Sequence, residues 1–412
     1  MATKQWVNLP NADESIDRSK MTGDGIDSEE VMGQYVYIKA TLDKKDAAAL
    51  VKLTVIPDAG NAEYVADDSN TLKHQESATA TVSSDGEAKW KVKLSQAGGD
   101  KFKFEVECNG EKKTLSEEFE THRRLYYQVI DMDTITGLAD LSFWETEFKK
   151  NNRNIHLHAT CSKGNMGHSY NFDYKSSEYS RLFNLAKAQY DTQKDPYCFA
   201  LVWADCLAQG PKRKEYDKDG VSKGGSVDIN IPAGQLWKNV DKSSTADPWL
   251  LNVAFIYTKD GTERTFPVPE ADLTSTYTKV TVSTENFPDG VTGKIKLAVN
   301  VAEGFHGGWS FPTKNIIVIA TRGWYDTAFA DDKKKAILIH EAGHKIGQVP
   351  NGSAELKKQS THDDAHTKHC NDTACTMWYT TKYKKATYCS VCDKSVRKQY
   401  LHHSIAGLKR FY

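Results

Sequence analysis

The chain has 412 residues, which suffices for several domains at roughly 100 to 200 residues each. Its 54 basic and 55 acidic residues give a formal net charge of -1. This balance supplies no global field that would attract nucleic acid or an anionic membrane surface. We therefore expect no nucleic-acid partner, and the function must be sought in individual sites.

The first 30 residues are polar and lack the apolar core that is typical of a signal peptide. No run of apolar residues along the chain is long enough to cross a membrane as a helix. These features predict a soluble protein, made in the cytoplasm without a signal peptide and not inserted in a membrane. Export by a route that needs no leader stays open as an alternative.

Residues 31–122 carry five short β-prone runs separated by clusters of turn residues, such as PDAGN at 57–61 and SSDGE at 83–87. Apolar and polar side chains alternate along these runs, as they do in strands with one buried face. Several short strands at this spacing are typical of a small antiparallel sandwich. The pattern predicts an immunoglobulin-like β-sandwich domain over 31–122, after a polar N-terminal segment over 1–30.

Residues 123–223 follow a different pattern, in which β-prone runs alternate with helix-like periods, and this alternation indicates an α/β layer. A second β-rich block occupies 224–305. We predict that it is a domain inserted into the α/β layer, and a long decorated hairpin within one fold is the alternative. The layer then resumes over 306–412, with an apolar strand at 315–323 and a helical pattern at 328–347.

The helical pattern contains the letters HEAGH, which begin at His340. On an α-helix His340 and His344 stand one turn apart, so both imidazoles can bind one metal ion. Glu341 lies about 100 degrees further round the helix, where it can take a proton from a water beside the metal without binding the metal itself. The spacing therefore indicates a zinc hydrolase, and the apolar residues before His340 argue against a chance match.

Four of the eight cysteines crowd together near the end of the chain, as Cys370, Cys375, Cys389 and Cys392. The spacing CxxxxC followed by CxxC suits a closed tetrahedral site of four thiolates around a structural zinc ion. Two disulfides are the alternative, and they would be favoured if the protein worked outside the cell.

The same region resembles a known family. The letters HC-x4-C-x-M followed by CxxC are similar to the end of the archaemetzincin motif, HExxHxxGxxHC-x4-C-x-M with a later CxxC, within the metzincin clan of zinc proteases. The likeness covers roughly residues 315–392. Its letters in this chain are His340, Glu341, His344, Gly347, His369, Cys370, Cys375, Met377, Cys389 and Cys392.

The resemblance implies a role for each of these residues. A catalytic zinc ion would be held by His340, His344 and His369, and a structural zinc ion by the four cysteines. Met377 would be the methionine of the metzincin turn, which packs beneath the catalytic metal. Tyr379 occupies the place of a tyrosine that reaches the metal or steadies the oxyanion in some relatives, so it is a further catalytic candidate. An ordinary core or surface tyrosine is the alternative.

The chain departs from the family pattern in two lengths. The gap from Met377 to Cys389 is shorter than the family's, which bears on the structural site more than on catalysis. The pattern has two residues between its glycine and its third histidine, whereas this chain has 21 between Gly347 and His369. A loop of that length can return to its start at modest entropic cost, so His369 is the expected third ligand. His362 and His366 are alternatives, because they lie nearby and stand four residues apart.

Metzincins place an edge strand antiparallel to the bound peptide, just before the active-site helix. The apolar strand at 315–323 has that position in this chain, and an edge strand there would add main-chain hydrogen bonds to a substrate. An interior strand is the alternative, because both faces of the run are apolar.

Together these patterns predict an α+β multidomain protein, with a metzincin-like zincin catalytic domain over 123–223 and 306–412, an N-terminal sandwich and an inserted β-rich domain. The predicted activity is zinc-dependent hydrolysis of peptide bonds through a zinc-bound water, with Glu341 as general base. The expected partners are a protein or peptide substrate and a protein bound through the β domains. The alternatives are a cell-wall peptide amidase or a delivered bacterial or phage effector with the same zinc chemistry, and a catalytically degenerate binding protein.

Overall fold

A computed structural model gives the fold of the protein, which is mainly β-sheet with three α-helices among the residues it describes. Those residues are 3–6, 35–43, 48–57, 77–93, 98–132, 135, 137–150, 153–159, 163–167, 172–173, 176–193, 199–231, 236–237, 248–310, 316–323, 328–346, 362–363, 369–370, 372–378, 387–390, 392–393 and 396.

The elements are numbered in chain order. The strands are β1 (Thr3–Trp6), β2 (Tyr35–Thr41), β3 (Leu50–Pro57), β4 (Ser77–Thr81), β5 (Glu87–Lys93), β6 (Lys101–Cys108), β7 (Glu111–Thr114), β8 (Phe119–Asp131), β9 (Ile155–Ala159), β10 (Gly164–Asn165), β11 (Phe172–Asp173), β12 (Phe199–Ala204), β13 (Leu207–Gln209), β14 (Lys212–Ser222), β15 (Ser226–Asn230), β16 (Leu250–Lys259), β17 (Thr262–Pro267), β18 (Leu273–Ser275), β19 (Lys279–Ser283), β20 (Thr292–Val301), β21 (Gly304–His306), β22 (Gly308–Ser310), β23 (Ile316–Ala320), β24 (His362–Asp363) and β25 (His369–Cys370). The helices are α1 (Ser142–Lys149), α2 (Ser176–Gln193) and α3 (Asp331–Ile346), and a 3-10 turn covers Glu270–Asp272.

The largest sheet has eleven strands and runs in the order β22-β23-β12-β8-β6-β3-β4, with β1, β9 and β10 also paired with β8 and β7 paired with β6. Strand β8 is long enough to serve two regions. Its first residues pair with β1 and β6, and its later residues pair with β9, β12 and β10. One continuous sheet therefore crosses residue 122, where the sequence pattern changes.

The N-terminal region has a core of its own. Along β3 the side chains of Val51, Leu53 and Val55 are buried, while the residues between them are more exposed. They belong to the same core as Phe104 of β6 and Trp90 of β5. The alternation follows from the two-residue repeat of a strand, which presents every second side chain to one face.

The central core surrounds parallel strands. Strand β12 pairs in parallel with both β8 and β23, and all five residues of β23 are buried. Helices α1, α2 and α3 contribute Trp144, Leu182 and Leu338 to this core. Strands covered on both faces need a continuous apolar sequence, which explains the run in β23.

A third core lies between a four-stranded sheet, β14-β20-β16-β17, and a three-stranded sheet, β15-β19-β18. Phe255 and Phe287 stack in it with their ring centroids 4.3 Å apart. The first strand of these two sheets, β14, begins at Lys212. With several hydrophobic cores and several sheets among the described residues, the molecule is a β-rich multidomain protein. None of the described helices is long and apolar enough to cross a membrane.

The prediction that residues 315–323 form an edge strand is wrong. Strand β23 lies inside the sheet, because β22 pairs antiparallel with its outer side and Trp309 stands opposite Val318. The terminal strand on this side, within the described part of the chain, is therefore β22. The alternative of an interior strand is the correct one, and the apolar character of both faces of β23 is its physical reason.

Candidate metal centres

Helix α3 carries His340 and His344 in its second half. The helix begins with Asp331 and Asp332, whose negative charges favour the positive end of the helix dipole. The Nε2 atoms of the two histidines are 3.2 Å apart. Two ligands of a tetrahedral zinc ion with Zn–N bonds of about 2.0 to 2.1 Å would be about 3.3 to 3.4 Å apart, so the observed separation fits one shared ion.

His369 joins this pair from strand β25. Its ring centroid lies 5.3 Å from that of His340 and 5.0 Å from that of His344. One ligand atom from each of the three residues lies within 4.8 Å of the others, so the group could hold a metal ion. We call these three residues the histidine group.

A short antiparallel pair precedes and includes His369. Strand β24 pairs with β25, with His362 opposite Cys370 and Asp363 opposite His369. The side chain of His362 and the whole of His366 lie outside the described residues. The structure therefore brings His369 to the two helical histidines.

A backbone carbonyl orients His340. The Nδ1–H of its ring donates to the carbonyl oxygen of Thr376 at 2.6 Å, which leaves Nε2 as the metal-facing atom. Burial lowers the pKa of His340 to about 4, and the nearby His369 lowers this pKa as well. The imidazole is thus neutral near pH 7, which is the form that binds a metal ion.

Glu341 lies beside strand β22. Its side chain is buried, with 8% of the residue exposed. A Cβ atom added to Gly308 would lie 2.8 Å from Oε1 of Glu341, so β22 passes this carboxylate with no room for a larger residue. The neighbouring Gly307 packs equally closely on Ile337 of the same helix.

The four cysteines form a second group, which we call the cysteine group: Cys370, Cys375, Cys389 and Cys392. All four are free thiols, so the alternative of two disulfides is not found. Their Sγ atoms lie within 4.8 Å of one another. The Sγ atoms of Cys370 and Cys389 are 3.7 Å apart, close to the roughly 3.8 Å expected between two thiolates on a tetrahedral zinc ion with Zn–S bonds of about 2.3 Å.

Backbone N–H groups surround these sulfur atoms. Asp372 donates to Sγ of Cys370 at 3.3 Å, and both Met377 and Cys389 donate to Sγ of Cys375. Hydrogen bonds among the thiols lower the pKa values of Cys370 and Cys389 and raise those of Cys375 and Cys392. Four thiolates so close together need a cation to stay charged, because like charges disfavour ionisation.

Met377 packs on helix α3 at Gly343, which lies between the two histidines in the sequence. It is fully buried, and a Cβ atom added to Gly343 would lie 2.4 Å from its Sδ. Gly343 therefore provides the gap that the methionine fills. Tyr379, the other catalytic candidate, lies outside the described residues.

Other residues contact the site, but the sequence indicates their role only weakly or not at all. The hydroxyl of Tyr388 donates to the carbonyl of Ile339 at 2.7 Å, and the guanidinium of Arg153 lies over the Tyr388 ring. Fully buried Arg153 also forms ion pairs with Glu147 and Asp393. A paired glycine at 307–308 is a visible signal for close packing, whereas a lone arginine far from the motif is not.

Comparison with known proteins adds no assignment to these centres, since no protein-family model matches the chain and no curated protein is significantly similar to it. Among the described residues, two compact groups with metal-ligand chemistry meet at one end of helix α3.

Proposed function

We propose that the protein is a zinc-dependent peptidase of the metzincin type, with the histidine group as its catalytic metal site. The likeness to the archaemetzincin motif supports this proposal. The observation that carries it is the position of Glu341, a buried carboxylate on the same helix turn as the histidines and in contact with strand β22.

The donor set suits zinc. Three imidazoles, one of them held neutral by burial and oriented by a backbone carbonyl, are a common ligand set of catalytic zinc and leave one position open. A zinc ion held there would lower the pKa of a water molecule and polarise the carbonyl of the scissile bond. The closed set of four thiolates suits a structural zinc ion.

Glu341 supplies the proton transfers. Its carboxylate accepts a proton from water while the water oxygen forms a bond to the carbonyl carbon of the peptide. When the bond between that carbon and the leaving nitrogen breaks, Glu341 returns the proton to the amine. Contact with β22 and burial hold the carboxylate in one position, so no reorganisation is needed during the reaction.

The position of strand β22 suggests that a substrate peptide binds beside it as an added strand. Strand β22 is the terminal strand of the large sheet among the described residues, and Gly308 at its start adjoins Glu341. An extended peptide added beside β22 would therefore run past the general base. Main-chain pairing of this kind gives affinity with little sequence specificity, so we expect unfolded or extended polypeptides to be substrates.

The test is hydrolysis of a denatured, fluorescently labelled protein by the zinc-loaded chain. Glu341→Gln should lower the rate by about 10²- to 10⁴-fold and keep the metal content of the wild type, because it removes the base and no ligand. Asp332→Asn is the matched control, since Asp332 is exposed on the same helix and should have no effect on the rate.

The number of zinc ions bound per chain should be measured together with the rate of hydrolysis. We expect two zinc ions per chain, and one in the double variant His340→Ala with His344→Ala. If the wild-type protein binds two zinc ions but cleaves no unfolded protein, the proposed peptidase activity is refuted. Release of amines from cell-wall peptides by the same protein would instead indicate an amidase.

A further inference from the structure

The two metal groups meet along a short piece of chain. His369 and Cys370 are consecutive residues of strand β25, yet they belong to different groups. Successive side chains of a strand point to opposite faces, so one strand can serve both groups at once. The N–H of Cys370 donates to the carbonyl of Met377 at 2.9 Å, which connects strand β25 to the turn that contains Met377.

A second connection passes through Thr376, which lies between Cys375 and Met377. Its carbonyl accepts the hydrogen bond from His340, and its N–H donates to the carbonyl of Thr387 at 2.8 Å. The turn is bound to the cysteine group, because Sγ of Cys375 accepts the N–H of Met377 at 3.4 Å. The carbonyl that orients His340 is thus held in place next to a cysteine ligand.

The third connection is Tyr388, the residue before Cys389. It is 7% exposed, and its hydroxyl donates to the carbonyl of Ile339, the residue before His340. Its ring also fills the space beside Gly343, where an added Cβ would lie 2.9 Å from a ring carbon. Three cysteines therefore each have a chain neighbour that is a histidine ligand or that hydrogen-bonds to a ligand or its helix.

We infer that the cysteine group positions the histidine ligands, so that an ion held by the four thiolates raises the affinity of the histidine group for its own ion. The inference rests on the two zinc sites of the proposed function. Two separate segments, 369–378 and 387–393, carry the three connections. Metal–sulfur bonds would join these segments, and the binding free energy of a structural ion contributes directly to folding. The cysteine group should therefore fill first.

The test is a titration of the metal-free, reduced protein with Co²⁺. Thiolate-bound cobalt absorbs strongly by charge transfer, whereas imidazole-bound cobalt gives weak visible bands, so the spectra separate the two steps. The charge-transfer bands should appear first. Cys389→Ser with Cys392→Ser should abolish them and weaken binding at the histidine group by roughly 10- to 100-fold. Initial filling of the histidine group, or an unchanged affinity there in this variant, would overturn the inference.

Two controls separate coupling from general damage. His340→Ala with His344→Ala should remove the weak bands and leave the affinity of the first step unchanged, because the first ion binds while the histidine group is still empty. Cys108→Ser tests the loss of a thiol elsewhere, since Cys108 belongs to β6 in the N-terminal region. It should change neither step.

Tyr388→Phe tests the same inference if the cysteine variant does not fold. It keeps every thiol and removes the hydrogen bond of Tyr388 to helix α3. The thiolate step should be unchanged, while binding at the histidine group weakens roughly 2- to 10-fold with a shift in its visible bands. A wild-type spectrum and affinity at that group would overturn the inference. A chain that loads in this order and cleaves no peptide would refute only the proposed function.

Discussion

The histidine group and the cysteine group lie side by side but are built in different ways. Two histidines come from a single helix turn, and the third comes from strand β25 after a long excursion of the chain. Cys370 comes from β25 and Cys375 from the turn after it, while Cys389 and Cys392 come from a second short segment, and backbone N–H groups donate to the sulfur atoms of Cys370 and Cys375. One group is completed by distant parts of the chain and the other by local geometry.

This difference matches the two roles that we propose, a catalytic metal site for the histidine group and a structural metal site for the cysteine group. The histidine group has three ligand residues, with a buried carboxylate and a terminal strand beside it. The cysteine group has four, which would complete the tetrahedron of a bound zinc ion and leave no position for water. Four predictions test how far the two groups depend on the packing between them.

The largest effect is expected at Arg153, which supports the cysteine side. Arg153→Met should lower the free energy of unfolding by about 3 to 5 kcal/mol, because Asp393 would lose its ion pair with Arg153 and buried Glu147 would keep only Lys150 as a cationic partner. Urea denaturation measures the change. Arg213→Met is the matched control, since the pair of Arg213 with Glu215 is exposed and should contribute little. Equal effects of both substitutions would contradict the role of Arg153.

The free energy of unfolding of the metal-free protein should depend on pH through His340. In the metal-free protein His340 has a pKa of about 4 when folded, against 6.5 ordinarily, so the unfolded chain takes up a proton first as the pH falls. The free energy of unfolding should decrease by about 3 kcal/mol between pH 6.5 and pH 4, and the contribution is complete above pH 6.5. His340→Gln cannot titrate at this position and should lose that part of the slope in urea denaturation. A slope identical to the wild type would count against burial of a neutral imidazole.

Gly308 tests the contact between β22 and Glu341, the proposed general base. A Cβ atom there would lie 2.5 Å from Cγ of Glu341, so Gly308→Ala should displace the carboxylate. Misplacement by about 1 Å can cost roughly 100-fold in rate, and we expect a loss of that order in peptide hydrolysis with metal content unchanged. Gly304→Ala is the control, because its nearest neighbour is a flexible side-chain oxygen at 3.6 Å. Similar rates for both variants would exclude a contribution of this contact.

Gly343 tests the packing between the two groups. Alanine is the better helix former by about 1 kcal/mol, but here its methyl group would overlap Met377 and the ring of Tyr388. Gly343→Ala should therefore destabilise the protein by about 1 to 3 kcal/mol. Adding Met377→Ala should restore part of the loss in thermal unfolding, as expected for residues in contact. Strict additivity of the two changes would show that they do not interact.

The sequence by itself determined the features that depend on local spacing. Residues four apart on a helix share a face, so the relation of His340 to His344 follows from their positions alone. The alternation of side chains likewise predicted the strands of the N-terminal region, and the apolar run of β23 predicted a strand without saying where it lies in the sheet.

Tertiary structure alone decided the rest, because it depends on parts of the chain that are far apart. The return of residue 369 to helix α3, the cover of β23 by β22, and the contact of Gly308 with Glu341 all require the complete fold. No periodicity encodes such approaches, since they are set by how whole elements pack. The sequence therefore names the chemistry of both metal groups, and the packing around helix α3 brings the groups together.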